Sequence, residues 1–263
     1  IYVTLEPCNH TGRTPPCTQA ILKAGLKAVV IGAMDPNPQV VGGGAAFLAG
    51  QGIAVLTGML EEPCTDLIRP FVKHSSTGLP WVMMKAGLSL DGRISLRRGE
   101  ATAITGELSR QFTHQLRDRV DAILVGVGTA LTDDPSLTTR LEGKEGSRDP
   151  LRIVLDSHLR LSPTAQMLRQ ESNAQTWIFC GIEAPPDREQ ALVAAGAVVH
   201  RLPLVKDGGL DLQQLLVLLG KHQILSLLVE GGAAIHGAFW GQQLVDELFL
   251  FYAPILIGEQ GVP

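Results

Sequence analysis

The chain has 263 residues, of which 45% are apolar, and a mean hydropathy of +0.17, so it is long and apolar enough for one large or two ordinary domains. The 22 basic and 26 acidic side chains give a net charge of −4. Because no basic run occurs, the composition argues against a non-specific nucleic-acid or membrane-surface role and favours small-molecule partners. Four cysteines are too few for a secreted disulfide scaffold, and no signal-peptide pattern is present, so we expect a cytoplasmic protein.

Both ends of the sequence lie in or next to a strand pattern. Ile1 opens the chain without a methionine, in what reads as the middle of a strand, and the last residues follow another strand pattern closely. We therefore expect a chain that is truncated at both ends. A sheet that starts in mid-strand leaves an unpaired edge, which predicts aggregation or homo-oligomers.

The first 74 residues alternate short strand and helix patterns. Apolar runs predict strands over 1–5, 28–34 and 53–57, and the stretches between and after them predict helices over 18–24, 45–49 and 61–73. This alternation is typical of an α/β domain. The polar residues 75–79 have the character of a linker, so we predict one domain over 1–74 and a second over 80–263.

The pattern restarts after the linker. Strands are predicted over 81–90, 122–127, 151–155, 177–180, 198–202, 226–229 and 248–252, with helical patterns near 187–195, 211–221 and 234–243. A further helix follows Thr105, where apolar residues four apart predict one buried stripe: Leu108, Phe112, Leu116 and Val120. Strands that alternate with helices predict a mostly parallel sheet covered on both faces.

Cys8 and Cys17 lie in a loop rich in proline and glycine, between the first strand and the first helix. A loop thiolate together with a thiolate at a helix start suits a tetrahedral Zn²⁺ ion, because the helix dipole favours the anionic sulfur. His10 is too close to Cys8 in the chain to join an unstrained site. The alternative is a pair of inert thiols, although the polar stretch Gly12-Arg13-Thr14, which could bind a phosphate, is unlike a core strand.

Two glycine-containing turns follow predicted strands in the second region. Gly126-Val127-Gly128-Thr129 would let the backbone approach a cofactor phosphate, but a lone Gly-x-Gly pattern is weak. Glu230-Gly231-Gly232 lies between a strand end and a helix start, where exposed amides can hold a pyrophosphate, and it is the better candidate. Either turn could also be a plain tight turn.

Charged and histidine side chains give weaker signals. Arg117, Asp133 and Arg140, taken alone, are typical of solvated surface charges. The histidines share no spacing with acidic residues, and we interpret as structural or exposed His114, His158, His200, His222 and His236. Cys64 and Cys180 lack partners in the sequence and are predicted to be buried thiols.

Several motifs occur together in one order along the chain: Thr4-Leu5-Glu6-Pro7-Cys8, Gly12-Arg13-Thr14-Pro15-Pro16-Cys17, Asp35-Pro36-Asn37-Pro38, Lys85-Ala86-Gly87-Leu88-Ser89-Leu90-Asp91-Gly92-Arg93, Asp133-Asp134-Pro135, Leu155-Asp156-Ser157, Glu230-Gly231-Gly232 and Asp246-Glu247-Leu248. In this order and spacing the sequence resembles the bacterial bifunctional riboflavin-biosynthesis deaminase/reductase family over nearly its whole length. The resemblance implies part of a zinc-dependent, cytidine-deaminase-like domain followed by a dihydrofolate-reductase-like domain.

The resemblance also implies two reactions. The first is zinc-dependent removal of an amino group from a pyrimidine that carries a ribosylamino phosphate. The second is NADPH-dependent reduction of the ribosyl group of 5-amino-6-(5-phosphoribosylamino)uracil to a ribityl chain. The family's histidine ligand and its proton-shuttling glutamate belong to sequence absent here, so we expect no deaminase activity from this chain and only weak zinc binding.

Site residues follow from the same resemblance. It implies zinc ligation by Cys8 and Cys17, and substrate contacts by Arg117, Asp133, Leu137, Arg140 and Glu230, with the two arginines on the sugar phosphate. It implies NADPH contacts by Gly87, Thr129, Ser157, Gly232, Ala233, Ala234, Ile235, His236, Gly237 and Ala238. The sequence identifies no general acid.

Two positions depart from the family pattern. Ala101 and Ala103 stand where the family often has serine and tryptophan, so a hydroxyl and an indole are missing. This departure leaves two alternatives to an active reductase. The parent protein could be a deaminase with a degenerate reductase domain, or the chain could be a non-catalytic binding or assembly fragment.

Overall fold

A computed structural model describes residues 1–12, 14–37, 43–97, 99–100, 102–141, 143 and 146–262. Contacts between residues divide the chain into two compact units, Ile1–Leu79 and Pro80–Pro263. No helix among these described residues combines the length and apolarity needed to cross a membrane.

The first unit is a small α/β unit. Its described residues form strands β1 (Tyr2–Leu5), β2 (Ala28–Ala33) and β3 (Ala54–Thr57) and helices α1 (Cys17–Lys23), α2 (Gly44–Gly50), α3 (Glu61–Leu67) and α4 (Arg69–Thr77). The strands pair in the order β1-β2-β3, and both pairings are parallel. The core lies between β2 and the helices, where Val29, Ile31 and Leu48 are fully buried.

The single helix predicted over 61–73 is wrong in detail, because the structure divides it at Ile68. Pro70 lies in the first turn of α4, where its missing N–H is no loss, and so favours a new helix start. Helix α4 then continues to Thr77, so residues 75–77 of the predicted linker are helical. Gly78 ends α4 in the left-handed conformation (φ 73°) that commonly terminates helices.

The second unit is built around one larger sheet. Its strands, within the described residues, are β4 (Trp81–Ser89), β5 (Ala122–Gly126), β6 (Leu151–Leu155), β7 (Thr176–Gly181), β8 (Ala197–Leu202), β9 (Ser226–Val229) and β10 (Glu247–Ala253). They pair in the order β10-β4-β9-β5-β6-β7-β8, every pairing being parallel. The predicted α/β class with a mostly parallel sheet is confirmed.

Helices connect these strands: α5 (Glu107–Arg119), α6 (Val127–Asp133), α7 (Gln166–Arg169), α8 (Pro186–Ala194), α9 (Leu212–Lys221) and α10 (Ala233–Gly241). Central strands covered on both faces read as continuous apolar runs, and every residue of β5 and β9 is buried. Because β4, β9 and β5 are neighbours and parallel, the segments that follow them meet at one edge of the sheet. That edge carries the site described below.

The predicted stripe on α5 is only partly correct. Leu116 and Val120 are buried, packing with Met83 and Leu228, but Leu108 is 82% exposed. A spacing of four residues turns 40° further than a full helical turn, so a stripe continued over three such steps drifts off the core face. Thr113, three residues before Leu116, takes the buried position instead.

Candidate active site

A cleft of ≈ 720 Å³ lies in the second unit at the carboxyl edge of β4, β9 and β5. Its walls include the end of β4, described residues of the segment 94–105, the first turns of α6 and α10, and several charged side chains. The described charged residues that line it are Lys85, Arg97, Glu100, Arg110, Arg117, Asp133 and Glu230. In open parallel sheets this edge is where ligands bind.

The starts of α6 and α10 lie side by side at this edge. Strands β5 and β9 pair directly, and each leads into its helix, with Thr129 in the first turn of α6 and Gly232 at the N-cap of α10. A Cβ built on Gly232 would lie 3.6 Å from Thr129 Oγ1. Free amides at the start of α10, with the positive end of its dipole, favour an anionic group in this part of the cleft.

Close packing explains two glycines of the cleft. A Cβ on Gly87 would lie 2.6 Å from Thr105 Cγ2, and a Cβ on Gly231 would lie 2.6 Å from Ile235 Cβ. Gly87 therefore lets β4 pack closely against Thr105. Gly231 lets the residues after β9 pack closely against Ile235 of α10. A side chain at either position would force its neighbour, Thr105 or Ile235, to move.

Arg117 and Glu230 form an ion pair that is mostly shielded from solvent, with side chains 12% and 10% exposed. Arg117 Nε donates to Glu230 Oε1 at 2.8 Å and Nη2 donates to Oε2 at 3.0 Å, so the guanidinium grips the carboxylate with two parallel bonds. Arg117 Nη1 also donates to the Thr138 carbonyl at 3.1 Å. Burial alone would raise the pKa of Glu230, but Arg117 and, less strongly, Lys85 hold it below its usual range.

The segment 134–140 follows α6 and contains two predicted substrate residues. Leu137 is 3% exposed and has φ 52°, a conformation that costs energy for a leucine and is held here by burial of its side chain. The Arg140 backbone N–H donates to His114 Nδ1 at 3.2 Å. Asp133, just before the segment, faces the cleft, where partial desolvation of its carboxyl raises its pKa.

Two further cleft residues are Lys85, for which the sequence predicts no role, and His236, whose spacing predicts a structural or exposed residue and for which the family resemblance implies an NADPH contact. Lys85 lies within the apolar strand β4, and its ammonium is 5.7 Å from the centre of the Phe251 ring. A lysine inside a buried strand is the signal that could have identified it. His236 Nε2 is buried beside the cleft and has no hydrogen-bond partner among the described residues, and burial lowers the pKa of this histidine.

Comparison with known proteins decides the family. The model of the RibD C-terminal domain matches residues 80–263. The chain belongs to the RibD family. The riboflavin biosynthesis protein RibD of Bacillus amyloliquefaciens is 41% identical over 258 residues, which are 98% of this chain and 68% of that protein.

Solved RibD structures resemble the whole described chain. RibD of Acinetobacter baumannii matches with a TM-score of 0.87 and 36% identity, covering 99% of this chain and 70% of that one. A Thermotoga maritima protein, named as a diaminohydroxyphosphoribosylaminopyrimidine deaminase/5-amino-6-(5-phosphoribosylamino)uracil reductase, matches with a TM-score of 0.83 and 35% identity, covering 99% of this chain and 69% of that one. The implied family of riboflavin biosynthesis is confirmed.

The structure brings most, but not all, of the residues implied by the RibD resemblance to the cleft. Those that line it are Gly87, Arg117, Thr129, Asp133, Leu137, Glu230, Gly232, Ala233, Ala234 and His236. Five others are not among the described lining residues: Arg140, Ser157, Ile235, Gly237 and Ala238. Ile235 packs toward Gly126 and Gly231, and Ser157 accepts the Gly181 N–H at 3.0 Å through its carbonyl.

The expected role of Arg117 meets a geometric restriction. Its guanidinium already donates hydrogen bonds to Glu230 and Thr138. Bidentate binding of a phosphate by Arg117 therefore requires release of Glu230. Phosphate binding by Arg117 therefore stays a prediction. Of the two family departures, Ala103 lines the cleft, and Ala101 lies outside the described residues.

The cysteine loop of the first unit offers two thiols. The Cys17 backbone N–H donates to Cys8 Sγ at 3.4 Å, and a hydrogen bond with the Cys8 thiol raises the pKa of Cys17. Within the described part of the chain no group of three or more His, Cys, Asp or Glu side chains could hold a metal ion. Two thiols alone do not fit a tetrahedral zinc site. Arg13, expected to help bind a phosphate, lies outside the described residues.

The other cysteines and histidines differ from one another. Cys180 is buried as predicted, but Cys64 is only half-buried, and it packs against Gly32 of β2. His158 and His222 are exposed, which agrees with the prediction that each histidine is either structural or exposed. His114 accepts a hydrogen bond from the Arg140 backbone N–H, and His236 lines the cleft, so both lie at the candidate site.

Proposed function

We propose that residues 80–263 catalyse NADPH-dependent reduction of the ribosyl group of 5-amino-6-(5-phosphoribosylamino)uracil to ribityl, in riboflavin biosynthesis. The observation that supports this most is the cleft itself, because one cavity joins an anion-favouring helix start to the Lys85, Asp133 and Glu230 side chains. The name of the Thermotoga maritima relative gives the same reductase activity to that protein.

The cleft residues fit a nicotinamide cofactor. The α10 start at Gly232 supplies free amides for a diphosphate, and the orphaned His236 Nε2 is a buried polar atom that a ligand would satisfy. NADPH, when bound, supplies the hydride that reduces C1′ of the opened ribosyl group. We assign cofactor binding to Gly87, Thr129, Ser157 and residues 232–238.

Substrate binding is assigned to other residues of the same cleft. Asp133 and Glu230 accept hydrogen bonds from polar groups of the substrate, and Leu137 forms part of the cleft wall. Arg140, with Arg117 if it releases Glu230, carries the positive charge for the sugar phosphate. Reduction of the opened sugar also consumes a proton, and the raised pKa of Asp133 suits a group that holds one near the reacting atoms.

The first unit is proposed to be part of a zinc deaminase domain with a cytidine-deaminase-like fold. Cys8 and Cys17 are its proposed zinc ligands, and the name of the Thermotoga maritima protein includes a deaminase activity. The described residues supply no third ligand beside these thiols.

The reductase proposal is tested by mixing the purified chain with NADPH and the deaminated substrate. We expect steady loss of NADPH absorbance and a product that is heavier by two hydrogen atoms. Asp133→Asn should lower kcat/KM about 100-fold, whereas the matched change Asp187→Asn, on the exposed start of α8, should leave it unchanged. NADPH binding without turnover would favour the degenerate-reductase or binding-fragment alternatives, and absence of binding would overturn the cofactor assignment.

A further inference from the structure

His114 lies on α5 between two elements of the proposed substrate site. Its Nδ1 accepts the backbone N–H of Arg140 at 3.2 Å. One turn further along the same helix, Arg117 donates to the carbonyl of Thr138 at 3.1 Å. The helix therefore holds the end of the 134–140 segment at two backbone groups, which fixes where the Arg140 side chain leaves the main chain.

This hydrogen bond determines the state of the imidazole. An imidazole nitrogen that accepts a hydrogen bond carries no proton, so the ring is neutral with its proton on Nε2. The charged groups that face it are Arg117 on its own helix, Arg140 on the 134–140 segment and Glu230 after β9. Burial and the two arginines lower the pKa of His114, and Glu230 and a hydrogen bond to the Thr138 backbone oppose them more weakly.

We propose that His114 is a positioning residue for the substrate's phosphate: as a neutral acceptor it fixes the Arg140 backbone, and so places a cation for an anionic sugar phosphate. This inference rests on the proposed reductase function. His114 does not line the cleft among the described residues, so it acts through Arg140 and not by contact with the reacting atoms. Protonation removes the acceptor and adds a third positive charge beside two arginines, which frees the Arg140 end of the segment, while the bond from Arg117 to Thr138 remains.

The first test needs no substrate. Long-range ¹H–¹⁵N spectra of the histidine rings in the intact chain, assigned with His114→Asn, should show the Nε2–H form of His114 at neutral pH. Hydrogen exchange should show a protected Arg140 amide in the wild type and in His114→Asn, whose side-chain oxygen can replace Nδ1 as acceptor. His114→Ala should lose that protection. An Nδ1–H form, or an Arg140 amide that exchanges equally in all three proteins, would overturn the proposal.

The second test measures the reductase. His114→Ala should raise the KM for the phosphorylated substrate about tenfold, the size expected for loss of one hydrogen bond near a charge, with kcat nearly unchanged. His114→Asn should restore the wild-type KM, and Gln115→Ala, an exposed neighbour on α5, should not alter it. Equal KM values for His114→Ala and the wild type, or no rescue by His114→Asn, would contradict the positioning role.

The pH dependence separates positioning from simple structural support. Because the pKa of His114 is lowered, its effect appears only below the ordinary histidine value of about 6.5, where the wild-type KM should rise as the ring gains its proton. His114→Asn does not titrate and should lack this rise, although ionisation of the substrate phosphate affects both proteins equally. If the wild type shows no turnover at all, the proposed function fails, while the ring spectra and Arg140 exchange still decide the inference.

Discussion

The cysteine loop of the first unit and the cleft of the second differ in how much of a site each one contains. Around Cys8 and Cys17 the structure provides two thiols, one of them exposed, and the Cys17 backbone N–H donates a long hydrogen bond to Cys8 Sγ. At the cleft, elements far apart in sequence meet, and Arg117 and Glu230, 113 residues apart, form a shielded ion pair. The loop is therefore a local feature, whereas the cleft depends on the whole sheet.

This difference has an energetic consequence. An exposed thiol contributes little to stability and can be exchanged at little cost. A charge taken out of water is tolerated only while its partner remains, so removal of one member leaves the other without compensation. Changes at the cleft should therefore cost far more than changes at the loop, and the following predictions test that order.

The largest effect is expected for Arg117→Leu. Removing the guanidinium takes away both of its hydrogen bonds to Glu230 and its hydrogen bond to the Thr138 carbonyl, and loss of one member of a buried pair typically lowers the free energy of unfolding by about 3–5 kcal/mol. All three tryptophans, Trp81, Trp177 and Trp240, lie in the second unit, so denaturant unfolding followed by tryptophan fluorescence reports on it.

Two companion variants sharpen this result. Arg117→Leu combined with Glu230→Leu should recover much of the lost stability, because no buried charge remains unpaired. Arg110→Ala removes a pair with Glu107 whose side chains are 56% and 62% exposed, and it should cost less than about 1 kcal/mol. Equal losses for Arg117→Leu and Arg110→Ala would show that the cleft pair is no more important than a surface pair.

The ion pair between Arg117 and Glu230 is a contact that could not be predicted from the sequence, whereas the strands and the turn around it could. Strands such as β5 and β9 were predictable because a parallel strand covered on both faces must be apolar throughout. The turn at Gly231 and Gly232 was predictable because it joins a strand to a helix. Nothing local marks Arg117 and Glu230 as partners, since their meeting depends on β9 being inserted between β4 and β5.

The same limit applies to His114 and Lys85. The bond from the Arg140 N–H to His114 spans 26 residues and arises only because the 134–140 segment packs along α5. Lys85 begins one of the motifs shared with the family, the one that ends at Arg93. Its position in an apolar strand does not indicate which groups it faces. The predicted α5 stripe failed at Leu108 for a simpler reason, because an exact spacing of four does not follow the helical repeat.

A second, smaller effect is expected in the first unit for Gly44→Ala. A Cβ at Gly44 would lie 1.7 Å from the carbonyl oxygen of Pro7, which is backbone and cannot simply rotate away. We expect a loss of about 2–3 kcal/mol, read as faster hydrogen exchange of amides within 1–79. Gly50→Ala is the matched control on α2, because nothing lies within 4 Å of its added Cβ. Unchanged exchange in Gly44→Ala would mean that the cysteine loop does not pack tightly on α2.

The smallest effect is expected for Cys17→Ser. The Cys17 side chain is exposed at the start of α1, and its backbone N–H can still donate to Cys8 Sγ after the change. Exposed substitutions of this kind usually alter the free energy of unfolding by about 0.5 kcal/mol or less. Amide exchange within 1–79 should therefore be almost the same in the variant and the wild type, with or without a chelator. The opposite result would be a chelator that reduces amide protection in the wild type but not in Cys17→Ser. That result would show that the two thiols hold a metal tightly, and changes at the loop would then cost as much stability as changes at the cleft.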